Sequence, residues 1–84
     1  MKYNGRIPPK IAREVLVRSH GLCEAHLAGC TGRGEHLHHK RLRSQGGKHT
    51  TQNLLNVCSA CHRWIHDHPG DSYERGLMLR SGYP

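Results

Sequence analysis

The chain has no phenylalanine and a single tryptophan, Trp64, and its tyrosines are limited to Tyr3, Tyr73 and Tyr83. Apolar residues make up 35% of its 84 residues. A domain of this length buries only about 60–65% of the surface its unfolded chain exposes, so its core is marginal at the best composition. A large aromatic core is excluded, and a staple is needed, either disulfides or a metal. Long apolar runs are missing as well. Stretches as short as Val15-Leu16-Val17 do not approach the roughly 20 residues of a membrane span, so no membrane partner is expected. The N-terminal Met1-Lys2-Tyr3-Asn4-Gly5-Arg6 lacks the apolar segment of a signal peptide. The expectation is an intracellular protein, where disulfides rarely persist. Acidic residues are also scarce, six against thirteen Lys and Arg, for a net charge of +7. That balance favours a polyanionic partner, although charge alone fits a solubilising surface equally well.

What the chain does have is histidine and paired cysteine. Its nine histidines are His20, His26, His36, His38, His39, His49, His62, His66 and His68. Several of them gather in two short clusters. Along the chain, residues 1–8 are expected to form a basic, mobile arm. Pro8 and Pro9 suit a helix start, with Ile11, Val15 and Leu16 at helical spacing and Gly21 as a stop, which predicts a helix over 9–20. Residues 21–34 read as a glycine-punctuated loop. Glu35-His36-Leu37-His38-His39 reads as a short strand, Arg41 to Gln52 as a polar loop, and Asn53 to Val57 as a second strand. From Ser59 the pattern is helical, with Cys61, Trp64 and Ile65 placed for burial, until Pro69 ends it. Asp71 or Ser72 is positioned to cap a last helix over 71–80, with Leu77 and Leu79 facing inward. There is no internal repeat and no low-complexity segment.

Cys23 and Cys30 have six residues between them, and Cys58 and Cys61 form a C-x-x-C knuckle. Two pairs separated by a longer insert match a four-thiolate tetrahedral zinc site. Each pair turns back on itself and presents two sulfurs, so one ion ties two distant segments together and its binding energy becomes folding energy. Free buried thiols would not explain the pairing. A redox C-x-x-C sits in a larger βαβ domain than this chain can build. His26 is an alternative ligand two residues beyond Cys23 in the knuckle sense, but the all-cysteine set is preferred.

His38 and His39 are neighbours on a predicted strand, so their side chains point to opposite faces. One can face a metal while the other faces something else. His62 and His66 are four apart on a predicted helix and share a face. Three imidazoles from a strand and a helix leave coordination positions open for water or phosphate, as in a catalytic metal site. A His-His pair alone, or a lone H-x3-H, is ordinarily surface chemistry. The combination gains weight because Cys58 and Cys61 open the same helix that bears His62 and His66.

Taken together, His38-His39, Ser44-Gln45-Gly46-Gly47, Asn53, His62 and His66 resemble the motif of the HNH endonuclease family. Asn53 lies fourteen residues beyond His39, and His62 nine beyond Asn53. The resemblance covers about residues 23–66, roughly half of the chain. The paired histidines and the H-x3-H ending are similar to the nuclease domains of bacterial colicins. The cysteine frame, including Gly29-Cys30-Thr31-Gly32, is similar to the small HNH proteins of bacteriophages.

The resemblance implies an α+β fold: one domain over 1–84 with a ββα-metal core at 23–67, flanking helices and a structural zinc at Cys23, Cys30, Cys58 and Cys61. It implies that His39 is the general base, that Asn53 steadies the hairpin loop and helps orient His39, and that His38, His62 and His66 hold a catalytic divalent cation, Mg2+, Mn2+, Ni2+ or Zn2+. An acid that steadies the site in colicins has no direct match; His36 occupies its place with Glu35 beside it. Lys40, Arg41, Arg43, Lys48 and Arg63 are candidate DNA-phosphate contacts, against the alternative of a solvated basic face. The activity implied is hydrolysis of DNA, most naturally double-stranded, by nicking and largely without sequence specificity, in the cytoplasm of a bacterial host cell. Phage terminase or packaging proteins are implied as further partners. The rival functions are a non-catalytic zinc-finger-like DNA-binding module and a phage packaging accessory, with RNA open as substrate.

Overall fold

A computed structural model describes residues 7–80. Its elements in chain order are helix α1 (Pro9–Ser19), strand β1 (His36–His39), a single 3-10 turn at Arg43–Gln45, strand β2 (Leu54–Val57), helix α2 (Ser59–Asp67) and helix α3 (Pro69–Glu74). The two strands pair antiparallel, with His36 opposite Val57, Leu37 opposite Asn56, His38 opposite Leu55 and His39 opposite Leu54. This is a small α+β fold of three helices on one two-stranded sheet. Among the described residues no helix is long and apolar enough to cross a membrane.

Most of the expected arm, residues 1–6, lies outside the described residues. Ile7, also placed in that arm, is instead buried against Val15, Leu37 and Leu54. An isolated apolar side chain two residues before a helix gains more from that pocket than from water. Pro9 opens α1 as its first residue, where a missing N–H costs nothing. His20 and Gly21 both take left-handed backbone angles, and their amides return to Leu16 and Val17 to close the helix. Helix α1 lays Ile11, Ala12 and Val15 on the sheet residues Leu37 and Leu54.

A second apolar cluster forms around the cysteines. It joins Cys23, Leu27, Val57, Cys58, Cys61, Ile65 and Met78. Helix α2 faces this cluster with Cys61 and Ile65, which are fully buried, while Trp64 is only half-buried. Trp64 packs at the edge of this cluster, stacks on His68 at 4.3 Å and lies under the Arg75 guanidinium.

The last helix expected over 71–80 is corrected on both ends. Pro69, which ends α2, also serves as the first residue of α3, and α3 stops at Glu74. Gly76 adopts φ +73, and the amides of Gly76 and Leu77 return to Tyr73 and Ser72. That is the left-handed closure glycine favours at a helix end. Beyond it the chain is not helical, and Met78 takes the buried place while Leu77 and Leu79, the expected inward residues, are half-buried. This tail lies beside β1, where the Leu79 amide donates to the Lys40 carbonyl at 2.7 Å. Ser72 anchors α3 to α2 by donating its hydroxyl to the Ile65 carbonyl at 3.0 Å.

Candidate metal centres

The four cysteine sulfurs converge from two segments. Cys23 and Cys30 come from the loop after α1, which a bridge between Leu22 and Arg33 folds back on itself. Cys58 is the N-cap of α2 and Cys61 lies in its first turn. All four sulfurs lie within 4.8 Å of one another. The Cys30 and Cys58 sulfurs are 4.0 Å apart, about twice the bond length of a disulfide. Backbone amides point at the sulfurs: Gly32 donates to Cys30 and Cys61 donates to Cys58, each at 3.3 Å. His26 is exposed and outside the cluster, at a left-handed backbone position.

The electrostatics of this cluster suit a cation. Burial pushes the Cys58 thiol up, but the amides of Thr31 and Cys61 outweigh it and bring it down to about 6. Burial raises Cys61, and its sulfur neighbours raise it further, so it resists ionisation. Four sulfurs packed together cannot all carry negative charge unless a cation sits among them. The donor set fits a tetrahedral metal such as zinc.

The second cluster is built on β1 and α2. His36 and His38 are two apart and face α2 from the same side of the sheet; their rings lie 5.2 and 5.3 Å from that of His62. His62 and His66 are one helical turn apart, and their Nε2 atoms face each other at 3.2 Å. Nitrogens of His38, His62 and His66 all lie within 4.8 Å of one another. His38 is only 1% exposed. Its Nε2 lies 2.8 Å from the Leu77 carbonyl. A carbonyl can only accept, so Nε2 carries the proton and Nδ1 keeps its lone pair.

Burial, followed by the neighbouring rings, brings His62 down to about 4. Burial also lowers His38 to about 4, despite the opposing Leu77 contact. Both are therefore neutral at neutral pH, the state in which an imidazole can bind a metal. Three imidazoles on rigid elements fit a divalent ion with open positions.

His39 sits on the other side of β1 from this cluster, half-buried at the mouth of the long loop 40–53. Burial, then His49 and Arg43, holds it below its ordinary value and hence neutral. Its Nε2 lies 3.0 Å from Nδ1 of His49. Asn53 clamps the loop. Its side-chain oxygen accepts from the Arg41 amide at 2.8 Å, and its side-chain nitrogen donates to the carbonyls of Arg41 and Lys48. Its link to His39 is through the backbone, where the Lys40 amide donates to the Asn53 carbonyl. Gly46, at φ +86, turns the loop. Gly47 has no room for a side chain, because a Cβ there would overlap the Arg41 carbonyl.

The cationic candidates do not form one patch of equivalent groups. Arg43 and Lys48 are exposed on the loop, Lys40 and Arg41 are half-buried at its base, and Arg63 is exposed on α2. Arg43 also donates to the Gly47 carbonyl at 2.6 Å, which helps fold the loop. The Glu35 carboxylate lies 3.4 Å from the Ser59 amide at the start of α2. Two groups against the site were missed from sequence: His49, counted but given no role, and the Leu77 carbonyl. The only signal for His49 was its place at the end of the Gly46-Gly47 turn. Nothing in a sequence marks a backbone carbonyl.

A family model described as HNH endonuclease matches residues 23–68, more than half of the chain. The matched span runs from the first cysteine through the loop, both strands and α2. No curated protein and no solved structure gives a significant match.

Proposed function

The chain belongs to the HNH endonuclease family, and from that premise we propose that it hydrolyses DNA phosphodiester bonds with His39 as general base and a divalent cation held by His38, His62 and His66. The observation that supports this most is the placement of two adjacent histidines. One is buried, neutral and grouped with two further imidazoles, and the other is half-buried and neutral on the opposite side of the same strand, beside a cationic loop.

His39 takes a proton from the water that attacks phosphorus, and the P–O bond to the 3′ oxygen breaks. Histidine suits this step because its ordinary pKa is near neutrality, where a lysine would stay protonated. A divalent cation at the three imidazoles supplies positive charge for the developing negative charge on the phosphate and the leaving oxygen. The Leu77 carbonyl holds the His38 ring in one orientation and one tautomer. Asn53 holds the loop that borders His39. Lys40, Arg41, Arg43, Lys48 and Arg63 contact DNA phosphates. Such contacts position a duplex without reading its sequence, which supports cleavage largely without sequence specificity. One site per chain supports nicking. The four cysteines hold a structural zinc that fixes α2, and with it His62 and His66.

Metal dependence tests this reading. Titration of a divalent ion by calorimetry, after chelation with the cysteine-bound metal retained, is expected to show one site per chain that is lost in His62→Ala. Cleavage of supercoiled plasmid is expected to require that ion and to fall with it. Equal cleavage by parent and His62→Ala, or cleavage undiminished in chelator, contradicts the proposal.

A further inference from the structure

Outside the residues already given roles, the long loop delivers one titratable side chain onto His39. His49 lies ten residues away in sequence, just past the Gly46-Gly47 turn, and its Nδ1 is 3.0 Å from the Nε2 of His39. Their ring centroids are 5.1 Å apart with the planes inclined at 55°. The rings are therefore not stacked, and the contact is edge-on between two nitrogens. Two ring nitrogens in contact this way hold one proton between them, so one nitrogen donates and the other accepts.

The direction of that bond decides what His39 can do. If His49 donates, the lone pair on His39 Nε2 is engaged. The proton of the neutral ring is then on Nδ1, and His39 has no free lone pair. If His39 donates through Nε2–H, its Nδ1 lone pair is free and His49 carries its own proton on Nε2. We infer that His49 is the positioning residue for His39: its Nδ1 accepts the Nε2–H of His39, fixing the ring's orientation and leaving Nδ1 as the basic nitrogen. The inference rests on the reading of His39 as general base.

The loop geometry supports a fixed His49. Asn53 ties Lys48, the residue before it, through the Lys48 carbonyl at 3.0 Å. Thr50, the residue after it, accepts from the Asn53 amide at 3.1 Å. Both neighbours of His49 are therefore held by the same asparagine. Asn53 thus acts on His39 through His49 as well as through Lys40.

The experiment compares the parent with His49→Ala and His49→Asn. Two-bond proton–nitrogen NMR correlations are recorded at mildly alkaline pH, on protein that retains its cysteine-bound metal with other divalent ions chelated. Turnover of a DNA duplex in Mg2+ or Mn2+ is measured alongside. In the parent, His39 is expected as the Nε2–H tautomer. His49→Ala is expected to give a tautomer mixture, with kcat lower by up to about a hundredfold and KM little changed. His49→Asn, whose side-chain oxygen can accept the same proton, is expected to keep the Nε2–H form and most of the rate.

An Nδ1–H tautomer at His39 in the parent or in His49→Asn overturns the inference. So does a tautomer or a kcat in His49→Ala that matches the parent. A parent that does not cut DNA at all contradicts the nuclease reading instead. In that event the NMR comparison alone still decides whether His49 sets the His39 tautomer.

Discussion

Arg18 shows how much one side chain organises in a domain with a small core. Its guanidinium makes paired contacts to Glu24, at 2.9 and 2.7 Å, and donates to the carbonyls of Thr51 and Leu54, each at 2.8 Å. It thereby joins α1 to the cysteine loop and to β2. Glu24 in turn accepts from the Asn56 amide at 2.9 Å. Arg18 is 40% exposed on its side chain, so the ion pair is partly screened. With the backbone contacts included, Arg18→Ala is expected to cost about 1–2 kcal/mol in denaturant unfolding. A loss below a few tenths would show these contacts to be idle.

The same pair makes a pH prediction. Burial pushes the Glu24 carboxyl up, but the Arg18 guanidinium and the Asn56 amide outweigh it, and the net shift is downward from 4.5. The folded protein then holds Glu24 ionised at a pH where the unfolded chain takes up a proton. Its contribution is full above pH 4.5 and is lost as pH falls toward the lowered folded value. Carboxyl-carbon NMR should give a Glu24 midpoint below that of the other glutamates. A midpoint at or above theirs removes the ion pair from the acid stability.

At the scale of elements, the glycine turn and the Asn53 contacts set the loop beside His39. Gly47→Ala would force a Cβ onto the Arg41 carbonyl, so the loop must shift. The expected result is a loss of about 1–3 kcal/mol and a fall in cleavage, whereas Gly70→Ala, which has open space, should leave cleavage unchanged. Equal behaviour of the two variants would mean that the loop tolerates the shift.

These elements also show what was legible in sequence. Helix α1, both strands and α2 follow from hydrophobic spacing and proline positions, and the structure places them within a residue or two of expectation. The grouping of Cys23, Cys30, Cys58 and Cys61, and of His38, His62 and His66, was legible because pair spacing and strand and helix periodicity fix which side chains share a face. The final helix was misjudged because Leu77 and Leu79 suggested an inward face, whereas Gly76 ends the helix before them and Met78 is buried instead. Trp64, expected to be buried, is half-buried against the cysteine cluster, and its outer side meets His68 and Arg75. The His49 contact depends on how a fourteen-residue loop closes, and no local pattern encodes that.

At the scale of the molecule, the apolar clusters among the described residues are small and divided. One packs α1 on the sheet, and the other surrounds the sulfurs. Covalent links are missing too, since all four cysteines are free thiols. A metal at the sulfurs would join the loop holding Cys23 and Cys30 to α2, the helix that also bears His62 and His66. Native mass spectrometry is expected to find one zinc per chain surviving mild chelation. Cys58→Ser should lose it and melt at markedly lower temperature, because binding energy of this kind is folding energy. A variant that keeps the parent's melting temperature without metal would show that the core suffices alone.

The nuclease assignment itself turns on His39. The decisive measurement is the initial rate of supercoiled plasmid nicking, at saturating Mg2+ or Mn2+, by the parent and by His39→Ala purified in parallel. The parent is expected to nick, and the variant to be slower by about 10²–10⁴-fold, with its zinc content and melting temperature unchanged. Equal rates in the two proteins, with contamination excluded by a mock purification, would contradict His39 as the base.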